Sequence, residues 1–194
     1  MMLSHTSKIR ARWAAGLLCV LALGACSSSS KKGGGTTPTT NAKQAATLLN
    51  KALQEQVSGN VAQAQKDFTQ VIRLDPRNKF GHYNLGLIAQ NAGNKTTAES
   101  EYRQAITIDA SYTPALYNLG ILRAQAGATQ EAIALYRRAV GGDTKFADAH
   151  FNLGLLLRAT GKTAEGNSEV QTAVKLDPSL AAKARAQGVP LPGK

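Results

Sequence analysis

The sequence is poor in the residues that carry most catalytic and metal chemistry. It holds 2 cysteines and 3 histidines in 194 residues. Two thiols cannot make a disulfide framework, and His5, His82 and His150 are too scattered to build a Cys/His zinc site. No Ser/His/Asp set, phosphate-binding glycine loop or paired carboxylate site is legible, so no enzymatic activity, cofactor or metal is expected. The longest uncharged apolar run, Ala14 to Ala25, has 12 residues, whereas a helix needs roughly 20 to span a bilayer. Acidic residues are also scarce, with 12 Asp+Glu against 23 Lys+Arg and a formal charge of +11. Apolar residues make up 43% of the chain, enough to bury a core and to exclude a wholly disordered protein. The length fits one domain, or a small domain with attachments.

Charge is distributed unevenly. The first 25 residues contain Lys8, Arg10 and Arg12 and no acid, which leaves 20 bases against 12 acids, +8, in the remainder. A basic start, a short apolar run and small residues at its end read as a secretory signal peptide over residues 1–25, removed on export. No Arg-Arg pair precedes the run, which favours the general secretion route over the twin-arginine one.

Leu23-Gly24-Ala25-Cys26 resembles the lipobox of bacterial lipoproteins. The resemblance implies that Cys26 is acylated, with palmitate among its chains, and becomes the new amino terminus. Cys19 would leave with the peptide, so the mature chain would keep no free thiol. Two or three acyl chains, at about 0.8 kcal/mol per buried CH₂, anchor a protein stably where a single chain does not. Residues 26–42 then carry a run of serines, Lys31-Lys32, Gly33 to Gly35 and a Thr/Pro/Asn stretch. Nothing in them packs, so they read as a flexible stalk of on the order of 20–25 Å mean span.

From Ala45 onward the chain repeats with an offset of 34. Asn84-Leu85-Gly86, Asn118-Leu119-Gly120 and Asn152-Leu153-Gly154 are in phase, preceded by Tyr83, Tyr117 and Phe151. Gly59, Gly93, Gly127 and Gly161 follow the same offset, as do Asp75, Asp109, Asp143 and Asp177. Small residues recur at Ala64, Ala98, Ala132 and Gly166, and bulkier ones at Phe68, Tyr102, Tyr136 and Val170. This period and pattern resemble the tetratricopeptide repeat. The resemblance covers Ala45 to Leu180 and implies an all-α, right-handed solenoid of four units, 45–78, 79–112, 113–146 and 147–180.

Each unit should pair two helices joined at a glycine in the left-handed conformation. In the second unit they are expected near Lys79 to Ala92 and Lys95 to Ile108, with Gly86 and Ala98 small at the crossing. One pair cannot bury its apolar faces alone, so neighbours stack. Three departures stand out. Lys51 and Glu55 replace apolar residues in the first unit, Ala110 and Thr144 replace the closing proline, and Gly141-Gly142 falls at the end of the third unit's second helix. Each glycine costs roughly 1 kcal/mol there relative to Ala, so an interruption and a soft joint between units three and four are expected. After Pro178, residues 181–194 are expected to form a short capping helix and a tail frayed from Val189.

In the tetratricopeptide family the first helices line a concave face, with positions 5, 6 and 9 of each unit pointing into it. Position 5 reads Leu49, Tyr83, Tyr117, Phe151; position 6 Asn50, Asn84, Asn118, Asn152; position 9 Leu53, Leu87, Ile121, Leu155. An amide offers one acceptor and two donors, so the asparagines could grip the backbone of an extended peptide of any sequence. They are similar to the asparagine ladder of the O-GlcNAc transferase repeat domain. The other reading is local packing, since Asn is common at this position of the family. The candidate groove therefore comprises Leu49, Asn50, Tyr83, Asn84, Leu87, Tyr117, Asn118, Ile121, Phe151, Asn152 and Leu155. A carboxylate clamp for chaperone tails needs Lys and Arg in a set register. Ala46, Phe80, Pro114 and Asp148, with asparagines at position 6, match none. His82 and His150 stand at position 4, where packing outweighs pH sensing. The basic clusters Arg73, Arg77, Lys79 and Arg137-Arg138 read as solvated face, with no nucleic-acid partner expected.

Together these features imply a lipid-anchored scaffold or adaptor of the bacterial cell envelope, holding another envelope protein or peptide in its groove. Ser27 carries no acidic retention signal, so in a cell with two membranes the outer one is expected, and otherwise the cell surface. The alternative is a charge binder that holds anionic lipid or cell-wall polymer on its +8 surface.

Overall fold

The computed structural model describes residues 40–191. The expected signal peptide, Cys26 and most of the stalk lie outside them. Four helical hairpins follow one another: α1 (Thr40–Val57) with α2 (Val61–Leu74), α3 (Lys79–Asn91) with α4 (Lys95–Ile108), α5 (Thr113–Gln125) with α6 (Thr129–Gly142), and α7 (Ala147–Ala159) with α8 (Thr163–Leu176). A 3₁₀ turn, Pro178–Leu180, leads into a six-residue α9, Ala181–Ala186. Each helix packs most extensively on its hairpin partner, and the second helix of each hairpin packs next on the first helix of the following one, which makes an all-α solenoid.

The hairpin turns are set by Gly59, Gly93, Gly127 and Gly161, whose φ angles lie between 77° and 85°. That left-handed geometry costs a side-chain-bearing residue strain that glycine escapes. The turns between hairpins rest on aspartate. Asp75, Asp109, Asp143 and Asp177 each accept the backbone N–H two residues on, from Arg77, Ser111, Lys145 and Ser179, at 2.9–3.1 Å. This Asx turn explains why Ala110 and Thr144 replace proline without loss of the bend: a side-chain acceptor fixes the chain direction in all four units.

The core runs along the stack as linked clusters. Ala52, Ala64, Phe68 and Ile88 close the first hairpin on the second. Tyr102, Ala105, Leu116 and Leu119 bind the second to the third, and Ile133, Tyr136, Leu153 and Leu157 the third to the fourth. The pattern of a small residue facing a large one changes in the last hairpin. Gly154 and Gly166 approach until a Cβ on either would stand 2.5–2.6 Å from the other's carbonyl oxygen, and Val170 replaces the ring found in earlier units.

Three expectations change. Helix α1 begins at Thr40, inside the expected stalk, and Ala45 on it is fully buried. Gly141-Gly142 does not interrupt the third unit, since α6 is helical through both. The intrinsic cost of glycine is outweighed because Gly142 abuts the preceding loop, where a Cβ would meet Thr113 Oγ1 at 2.9 Å and Ser111 O at 3.2 Å. Nor is the tail frayed from Val189. That side chain is 4% exposed among Phe151, Val170, Ala173 and Ala184, and Gln171 Nε2 donates to Pro190 O at 2.7 Å.

Candidate functional site

The residues assigned to the groove fall on α1, α3, α5 and α7, at matching heights in successive hairpins. Position 9 is the most uniform: Leu53, Leu87, Ile121 and Leu155 are all half-buried. Positions 5 and 6 are less equivalent than the repeat implies. Asn50 is exposed, and Asn84 is buried with its Nδ2 donating to Phe80 O at 2.8 Å. Asn118 Nδ2 donates to Pro114 O at 3.0 Å and to Tyr83 OH at 3.2 Å. Asn152 Nδ2 donates to Tyr117 OH at 3.1 Å.

These last two bonds join neighbouring units. A tyrosine at position 5 accepts from the asparagine at position 6 of the next unit, 35 residues on. Tyr83 also meets Tyr112 edge-on at 5.4 Å between ring centroids, and Tyr117 meets Phe146 at 4.7 Å. Burial raises the Tyr117 phenol above its ordinary pKa, so it stays protonated. Both Asn118 donors are thus engaged within the fold, and packing accounts for much of the asparagine series. Phe151 departs furthest: it is 1% exposed beneath α9 and the tail, with Lys183 Nζ 4.8 Å from its ring centroid. At position 5 the open strip therefore runs from Leu49 to Tyr117, and the last unit's position 5 is closed by the chain's own end.

Several charges within the solenoid are paired. Between residues 40 and 180, 15 Lys+Arg stand against 12 Asp+Glu, net +3. Arg103 contacts Glu99 at 2.9 Å and Glu131 at 2.7 Å, while Arg123 contacts the same two carboxylates at 3.1 and 2.7 Å. This four-charge ring ties α4 to α5 and α6. Arg103 holds the Glu131 carboxyl below its usual range. Arg137 meets Glu165 at 2.5 Å, and Lys51 lies 2.9 Å from the buried Asp67.

The two position-4 histidines are also engaged. His82 Nδ1 lies 2.7 Å from Glu101 Oε2 and its Nε2 3.3 Å from Pro76 O. His150 Nδ1 lies 2.6 Å from Glu169 Oε2 and its Nε2 3.1 Å from Thr144 O. Sequence reasoning missed these pairs and the Tyr–Asn bonds, although His and Glu stand 19 residues apart in both units. Among the described residues no His, Cys, Asp and Glu cluster could hold a metal, and no helix is long and apolar enough to cross a membrane.

The spacing of these features is matched by a family model. The tetratricopeptide repeat model fits residues 49–113 and 114–145, together half of the chain. The chain belongs to the tetratricopeptide repeat family. Among curated proteins none matches it significantly. Among solved structures, this tetratricopeptide chain is similar to PilF of Pseudomonas aeruginosa, with TM-score 0.62, 21% identity, and coverage of 75% of this chain and 71% of that one. It is similar to MamA, with TM-score 0.59, 22% identity, and coverage of 71% and 75%. It also resembles the first repeat domain of Spaghetti (RPAP3) bound to the HSP90 peptide SRMEEVD, with TM-score 0.57, 22% identity, and coverage of 62% and 95%. At these identities the likeness is one of fold, and the fold is that of a protein–protein interaction scaffold.

Proposed function

We propose that this protein is a lipid-anchored adaptor of the bacterial envelope, which holds an extended segment of another envelope protein along α1, α3 and α5. The observation that carries the reading is the strip Leu53, Leu87 and Ile121, half-buried and unclaimed by ion pairs, beside the rings of Tyr83 and Tyr117. Apolar side chains left partly open on a concave face suit an extended peptide better than a charged polymer. The anchor rests on Leu23-Gly24-Ala25-Cys26, with Cys26 as the acylated residue and the segment after it as spacer. Ser27 favours the outer membrane in a two-membrane cell.

The RPAP3 domain is bound to the peptide SRMEEVD. In this chain position 2 of the units holds Ala46, Phe80, Pro114 and Asp148, and position 6 asparagine, so the strip offers no Lys and Arg register for an acidic tail. A charge binder is the weaker reading, because the solenoid is only net +3 and five of its 15 Lys+Arg sit in ion pairs.

Photo-crosslinking in the native cell tests this. A probe at Ile121 should capture one envelope protein, while a control at the exposed Gln104 on α4 should not. Capture of lipid or cell-wall polymer at either position would overturn the groove reading. Loss of membrane fractionation in Cys26→Ser tests the anchor separately.

A further inference from the structure

We infer that the joint between units one and two is a pH-sensitive clip, fastened by the imidazolium form of His82, whereas the central joint is pH-independent. In unit two, as in unit four, a ring on the first helix faces two acceptors. One is a carboxylate on the second helix, Glu101 or Glu169. The other is a carbonyl in the loop entering that unit, from Pro76 or Thr144. An imidazolium donates from both nitrogens. A neutral ring donates from one and turns a lone pair toward the acceptor facing the other. Deprotonation therefore breaks either the tie to the helix or the tie to the loop.

The charged groups facing His82 are Glu101 on α4 and Asp75 on the loop, both negative. His150 faces Glu169 on α8, and Asp143 holds the loop position of Asp75. The hydrogen bond to Glu101 raises the His82 pKa against the opposing effect of burial. A raised pKa contributes stability that is complete below the unfolded value of 6.5 and is lost as pH rises through the folded one.

The fold does not require this device. Unit three carries Leu116 and Leu135 at the His and Glu positions, both buried in an apolar contact. The joint there is held by ion pairs among Glu99, Arg103, Arg123 and Glu131 and carries no histidine. The solenoid thus has a central joint without a proton-responsive tie and a first joint whose attachment responds to protons.

Hydrogen exchange on the full chain tests the inference, read as protection factors so that the intrinsic pH dependence of exchange cancels. The reporters are the amides of Asn78 and of Tyr112, its equivalent at the central joint, each bonded to the aspartate carbonyl of its own loop. Between about pH 5.5 and 8.5 protection at Asn78 should fall about tenfold, and at Tyr112 less than twofold. His82→Leu with Glu101→Leu copies unit three and should abolish the response at Asn78. Glu101→Gln keeps an acceptor but removes the charge, and should move the Asn78 midpoint to lower pH. Equal pH dependence at both amides, none at either, or a response at Asn78 that survives the double substitution would each overturn it.

Discussion

Gly86 lies so close to Tyr102 that a Cβ at Gly86 would stand 2.6 Å from Tyr102 Cε1. The ring is fully buried and its hydroxyl donates to Gln90 Oε1 at 2.8 Å, so it is fixed at both ends. Gly120 and Tyr136 repeat the contact one unit later, again at 2.6 Å. Gly86→Ala is expected to destabilise the chain by about 1–3 kcal/mol through overpacking. Urea denaturation measures it, and an unchanged midpoint would show that the helices can part at little cost.

The adjacent glycines of α6 should respond with opposite signs. Gly141 has open space where its Cβ would stand, so Gly141→Ala should stabilise by about 0.5–1 kcal/mol through helix propensity. Gly142→Ala meets Thr113 and Ser111 and should destabilise. Thermal melts of the two variants side by side decide this, and equal shifts would refute the contact.

Asp109 is bonded to Lys79 at 2.6 Å and to the hydroxyl and amide of Ser111, which lowers its carboxyl pKa to about 2. Its contribution to stability is complete above the unfolded value of 3.8 and is lost as pH falls toward 2. Lys79→Met should raise the carboxyl pKa toward its ordinary value, seen by NMR titration, and move the onset of acid unfolding upward.

Removing one cation from the charge ring leaves two carboxylates facing one arginine. Arg123→Ala should cost about 1 kcal/mol, the upper end for partly exposed pairs. The loss should shrink in about 1 M salt, where the screening length falls to about 3 Å. Denaturation at two ionic strengths would reveal it, and a salt-independent loss would assign the effect to the packing of the arginine stem.

Deleting residues 188–194 should expose Phe151. It removes Val189, and with Gly188 one of the two carbonyls, those of Gln187 and Gly188, that accept from Arg158. A loss of about 1.5–3 kcal/mol is expected from the uncovered apolar surface. Denaturation measures the loss, and sedimentation would show whether the bared end pairs with another copy.

Much of the fold is legible because each repeat states its own rules locally. Glycine at the hairpin turn, aspartate at the exit and small residues facing large ones fix the helix ends to within a residue, as at Lys79–Asn91 and Lys95–Ile108. The groove was legible only as positions. Phe151 and Tyr117 share position 5, yet one is sealed beneath the chain end and the other is half-buried. Periodicity assigns them the same place because it carries no information about the segment beyond the last unit.

Local sequence was thus enough to determine the repeat and the pairing of its helices, since these depend on interactions within 34 residues. Tertiary packing alone decided which asparagine donors are spent on the neighbouring tyrosine, which charges close into a ring, and where Val189 comes to rest. Those outcomes depend on distances between side chains of different units, which repeat spacing does not encode.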